Sequence, residues 1–139
     1  QRLYQMKAKV EKPSLSVPLV GRIAAGSPVE AVAGTATLEF ADFAGNEDTY
    51  ALEVRGDSMI EDHICSGDYV LIQRTPDVRD GEIVVALVKG VETTLKRLYR
   101  EPGNTIRLQP ANSEMQPIIV PKNDVIVQGK LLAVLRKYR

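Results

Sequence analysis

From Tyr50 to its end the chain is a succession of short runs rich in Val, Ile, Leu and Tyr, at 50–55, 68–74, 82–89, 92–100, 105–109 and 124–138, the last interrupted at Gly129. Turn signals separate them: Ser66-Gly67-Asp68, Arg79-Asp80-Gly81, Lys89-Gly90 and Pro102-Gly103-Asn104. No segment sustains the 3.6-residue period of an amphipathic helix. Runs of this length and composition make strands. The pattern therefore predicts an all-β domain with little helix, coiled or barrel-like.

The first third reads differently. Residues 1–16 are polar and basic and end in a Pro/Ser stretch, which suits a flexible linker or tail. Residues 17–34 are small and apolar, broken by Gly21, Gly26 and Pro28, and suit an extended segment; the stretch from there to Asp48 reads as loop. At 139 residues the chain can bury one sizeable core. Its net charge of zero supplies no global basic field for nucleic acid. The charge is uneven all the same: residues 41–68 hold eight acids against Arg55 alone. One cysteine (Cys65) and one histidine (His63) make neither an internal disulfide nor a metal framework, so no metal or other cofactor is expected. No apolar run approaches a membrane span or a signal peptide core, and a cytoplasmic protein is the expectation.

The stretch "VRGDSMIE" at 54–61 places a serine at a strand-to-turn corner. Ser58 and Glu61 fit the S-x-x-E capping box, and by spacing alone a helix cap is the better account. A nucleophile would use the same geometry, because a cap site lies beside unpaired backbone N–H groups that can also hold an oxyanion. A nucleophilic serine needs a base. His63, five residues along in the same turn, is badly placed to aim its imidazole at the hydroxyl. A lysine works only if its pKa of about 10.4 falls by about three units, most directly through burial. Lys7, Lys9 and Lys12 lie in the polar tail, and Lys89, Lys122, Lys130 and Lys137 lie beside turns or at the basic end. Lys96 is mid-strand in "ETTLKRLY", sharing a face with Thr94 and Leu98. That permits burial, although by pattern alone a solvated strand lysine is the better account.

"GDSM" at 56–59, "TLKRL" at 94–98 and "ANSEMQPI" at 111–118, in that order, resemble the LexA/UmuD family of self-cleaving serine–lysine peptidases. Upstream, "VPLVGRIAAG" at 17–26 is similar to the cleavage region of the family's SOS repressors, which are cut between Ala and Gly. The resemblance implies that Ser58 attacks the carbonyl of Ala25 and that the bond cut is Ala25–Gly26. Neutral Lys96 would take the serine proton and pass it to the amine of Gly26. Backbone N–H groups of Asp57 and Ser58 would form the oxyanion hole, and Val20, Ile23 and Ala24 would seat the loop in an apolar cleft. Small residues at 24–26 agree with close backbone approach to a nucleophile.

The resemblance also implies an organisation. Residues 17–139 would form the self-cleaving peptidase and dimerisation domain, with 17–48 holding the cleavage region. Partners would be a second copy in a homodimer and a RecA filament on single-stranded DNA as co-activator. Operator DNA would be met only through an N-terminal winged helix-turn-helix domain, which nothing in residues 1–16 could form. The chain is thus expected to be the C-terminal piece of a repressor of the SOS DNA-damage response. The run "VIVQGKLLAVLRKYR" has strand character suited to edge pairing between copies. Ser27 stands where an acid is common in the family. A UmuD-like accessory subunit of a translesion polymerase is the alternative, though such proteins usually present Cys-Gly at the cut. Signal peptidases share the chemistry but need a membrane anchor.

Overall fold

The computed structural model describes residues 2–6, 16–18, 21–22, 30–31, 37–39 and 48–138. The all-β expectation holds: the only helical pieces among these residues are two three-residue 3₁₀ turns, Ile60–Asp62 and Lys122–Asp124. The strands in chain order are β1 (Arg2–Met6), β2 (Ser16–Pro18), β3 (Gly21–Arg22), β4 (Glu30–Ala31), β5 (Thr37–Glu39) and β6 (Thr49–Arg55), followed by β7 (Tyr69–Gln73), β8 (Ile83–Val88), β9 (Glu92–Glu101), β10 (Thr105–Gln109), β11 (Ile118–Pro121) and β12 (Val125–Leu135). Eight of them form one sheet in the order β1-β6-β7-β12-β8-β9-β10-β11. Every pairing in it is antiparallel, and the sheet curls into a half-barrel. Two short ladders stand apart from it, β2 with β5 and β3 with β4. No helix among the described residues is long and apolar enough to cross a membrane.

Local chemistry explains the runs. β8, "IVVALV", has no polar residue because both its faces are covered. Val85 belongs to one apolar cluster, with Leu52, Val54, Met59, Ile72 and Leu95. Val84 and Ala86 belong to the other, with Leu98, Ile106 and Leu108. The turn after β8 closes through a Val91 N–H donated to the Val88 carbonyl at 3.0 Å. Lys89 and Gly90 take φ of 54° and 70° there, the conformation a tight hairpin demands and glycine supplies without steric cost.

Four expectations change. Arg2–Met6, inside the stretch read as a linker, pair residue by residue with β6. Thr37–Glu39, in the stretch read as loop, form a short strand, and Glu30–Ala31 form another within the segment read as extended. β12 is not interrupted at Gly129; its register shifts by a bulge between Val127 and Gly129 and the strand continues. A side chain at 129 would drive into Ile72 and the Gln73 backbone, so the glycine answers a close approach. Nor is the C-terminal run an edge: β12 lies inside the sheet, paired to β7 and β8. The short β11 was not among the expected strands.

This topology positions the site. The turn carrying Ser58 joins β6 to β7, on one side of β12 in the sheet order. Lys96 lies in β9, on the other side.

Candidate active site

β6 ends at Arg55, and Gly56, at φ 95°, turns the chain into Asp57-Ser58-Met59. Met59 is fully buried in the first apolar cluster and acts as the plug that seats the turn. The 3₁₀ turn follows and ends at His63, which takes a left-handed φ of 64° and is exposed.

The expected capping box is absent. Met59, not Ser58, occupies the N-cap position, and no side chain caps the turn. The two residues of the motif face other partners. The Ser58 side chain is directed inward and the residue is only 3% exposed. Glu61 accepts a hydrogen bond from Ser113 N–H at 2.7 Å, and its own N–H donates to the Ala111 carbonyl at 2.7 Å. A 3₁₀ turn this short has few orphan donors, and the 111–113 segment meets one of them.

Inward from Ser58 lies Lys96. Its Nζ donates to Ser58 Oγ at 3.2 Å, across 38 residues of sequence. It donates also to Thr94 Oγ1, two residues back on the same face of β9. Thr94 and Lys96 are 1% and 5% exposed. Burial follows from the register. Lys96 pairs with Val84, and the same face continues into Leu98 and Ala86 of the second cluster. An ammonium there has lost water without gaining a carboxylate contact. Desolvation pulls the Lys96 pKa down to about 8, with the charge of Glu92 opposing the shift. Near neutrality and above, a usable fraction of the amine is therefore unprotonated. In that state its lone pair can accept the proton of Ser58 Oγ–H.

The backbone around Ser58 is held from outside. The Ser58 carbonyl accepts from Ala111 N–H at 2.8 Å. The Asp57 carbonyl accepts from Ile60 N–H at 3.2 Å and from Asn112 Nδ2 at 2.9 Å. Arg97, on the opposite face of β9 from Lys96, donates to Asp62 Oδ2 at 3.0 Å and ties the 3₁₀ turn to the lysine's own strand.

The structure thus brings Ser58 and Lys96 together, with Asp57 beside them. Val20, Ile23, Ala24, Ala25 and Gly26 lie outside the described residues; β3 and β4 pair on either side of 23–29. Sequence reasoning did not single out Thr94 as a partner of the lysine. Nor did it give Asn112 or Glu61 a role in bracing the turn. The run "ANSEMQPI" was the signal available for Asn112. No three His, Cys, Asp or Glu side chains converge as a metal set among the described residues.

Residues 18–132 match the family model described as Peptidase S24-like. The chain is 52% identical over 133 residues to a LexA repressor of Koribacter versatilis, covering 96% of this chain and 63% of the relative. It is 53% identical over 125 residues to a LexA repressor of Novosphingobium aromaticivorans, covering 89% of this chain and 53% of that relative. With a LexA repressor of Gluconacetobacter diazotrophicus the identity is 47% over 139 residues, covering 99% and 54%. The chain spans little more than half the length of these relatives.

Proposed function

The chain belongs to the Peptidase S24-like family, and on that premise we propose that it is the self-cleaving serine–lysine peptidase domain of a LexA-type repressor. The observation that carries the reading is the buried approach of Lys96 Nζ to Ser58 Oγ at 3.2 Å, with the lysine's pKa lowered to about 8 by loss of water.

In this reading neutral Lys96 removes the Ser58 hydroxyl proton as Oγ attacks the carbonyl carbon of Ala25. The oxyanion is received by the N–H groups of Asp57 and Ser58. Lys96, now an ammonium held by Thr94, returns the proton to the nitrogen of Gly26, and the Ala25–Gly26 bond breaks. Water, deprotonated by the same amine, then releases Ala25 from the acyl-serine. Val20, Ile23 and Ala24 seat the loop. No cofactor takes part. The substrate lies in the same chain, so the rate depends on how often segment 23–29 docks. A RecA filament on single-stranded DNA would act by favouring the docked state. Cleavage would end repression of SOS genes by separating this dimerising domain from an operator-binding one. The relatives' printed name supports the repressor half of the proposal.

The test is incubation of the purified chain at pH 9.5, with Ser58→Ala and Lys96→Ala beside it, and intact-mass analysis of the products. The expected result is a single cut after Ala25, first-order and independent of protein concentration, in the parent chain only. The same fragment from Ser58→Ala would overturn the proposal, as would an uncut parent.

A further inference from the structure

Asn112 lies in the connection between β10 and β11, 55 residues from Asp57, and uses both ends of its amide. Its Oδ1 accepts from the N–H of Glu114 at 2.9 Å, and its Nδ2 donates to the Asp57 carbonyl at 2.9 Å. The two partners fix the orientation of the amide without ambiguity, because a backbone N–H needs the oxygen and a carbonyl needs the nitrogen. The local Oδ1 contact is an Asx turn, and it aims Nδ2 at the nucleophile turn.

The Asp57 carbonyl and the Ser58 N–H belong to one peptide plane, and in a trans peptide they point in opposite directions. Whatever anchors the carbonyl therefore aims the N–H. Asn112 and Ile60 hold the oxygen from one side, which turns the Ser58 N–H toward the opposite side. A bond to the carbonyl also polarises the same amide and strengthens its N–H as a donor. We propose that Asn112 is a positioning residue for the oxyanion hole, acting through the Asp57–Ser58 peptide and touching no reacting atom. The inference rests on the peptidase reading above. It adds a part that neither the serine nor the lysine supplies.

The discriminating substitution is Asn112→Asp. It keeps Oδ1 for the Glu114 N–H and the side chain's shape, and it replaces the donor with a negatively charged oxygen that cannot donate, while Asn112→Ala supplies the uncharged comparison. Asn112→Ala removes both bonds. Complete loss of one oxyanion donor costs about 10²–10³ in rate, and a donor left in place but no longer aimed costs less, about 10- to 100-fold. Self-cleavage is followed from pH 6 to 10.5 in the parent and both variants, with thermal melts alongside. Ser58 labelling by a small fluorophosphonate probe supplies a readout that needs no docked loop.

The expected result is a plateau rate lower by about 10- to 100-fold in both variants, with labelling slowed in parallel. In Asn112→Ala the pH midpoint should match the parent's, because the surroundings of Lys96 are intact. A general loosening of the turn would instead hydrate Lys96 and move that midpoint upward, and this would overturn the inference. So would parental plateau rates in Asn112→Asp, while leaving the peptidase reading standing. A parent inert both to itself and to the probe would remove the peptidase reading, and the inference with it.

Discussion

A buried lysine is a burden to the fold before it is a tool, and Lys96→Met measures that burden. Both proteins carry Ser58→Ala, which removes the proposed nucleophile. At pH 7 the parent lysine is protonated, folded or unfolded, yet the folded site prefers the neutral amine. The gap between 10.5 and about 8 corresponds to roughly 3 kcal/mol of lost stability at that pH. Methionine has nearly the same reach and no charge, so it removes this cost. It leaves the 1%-exposed Thr94 hydroxyl without its lysine partner, at about 1–2 kcal/mol. The variant should therefore be more stable at pH 7 by about 1–2 kcal/mol in urea titration, or about 5 °C in melting temperature. Between pH 8 and 10.5 the folded lysine has lost its proton while the unfolded one keeps it. The unfolded state then binds more protons, so the parent gains stability as pH rises. The advantage of Lys96→Met should shrink through that window and reverse near pH 10. Burial raises the Tyr50 pKa, and this works in the opposite direction above about pH 10, but equally in both proteins. A variant less stable than the parent at pH 7, by a margin that does not change with pH, would refute the argument.

Three further outcomes are expected. The first-order self-cleavage rate should rise about tenfold per pH unit below 8, be half-maximal near 8 and level off above 9; a midpoint near 10.5 would mean burial does not tune the base. Gly129→Ala should cost about 2–3 kcal/mol in urea titration, since its methyl would sit 2.6 Å from the Gln73 carbonyl oxygen, which is backbone and cannot swing aside; a change under 0.5 kcal/mol would show that the bulge has room. Arg136→Ala should lower the urea midpoint at pH 7 because Arg136 donates twice to Asp68, a residue 1% exposed. Hydrogen bonding from Arg136 holds the Asp68 pKa down, so its contribution is present above about pH 4 and disappears as pH falls through the lower folded value; the gap between variant and parent should close in acid.

Strands whose apolar runs are bounded by glycine turns were legible because both signals come from adjacent residues. β11 was not, since four residues ending in Pro121 carry too short a pattern, and the proline is tolerated only because the strand lies at the sheet's edge. β1 escaped because "RLYQM" does not alternate and stands in a polar, basic stretch; its place comes from pairing with β6, a long-range fact. The S-x-x-E spacing at Ser58 misled because spacing describes the local turn alone. It cannot register that a lysine 38 residues away takes the hydroxyl, or that Ser113 takes the glutamate. Alternation allowed Lys96 to be buried, but the burial itself depends on the second apolar cluster covering that face. Asn112 and Thr94 act through hydrogen bonds that no local pattern encodes.

The place of β12 bears on when in the protein's life the site comes into being. Among the described residues, no ladder joins the β6–β7 side of the main sheet to the β8–β11 side except through this strand, which follows all the others in the sequence. A nascent chain on the ribosome carries Ser58 and Lys96 well before the strand that unites their halves has emerged. A chain terminated before Val125 would hold both residues without the ladder that joins their halves, leaving the contacts of the nucleophile turn with β9 and with residues 111–113 to do so alone. Pairing of β12 would thus be the first gate on the proposed reaction, ahead of any partner.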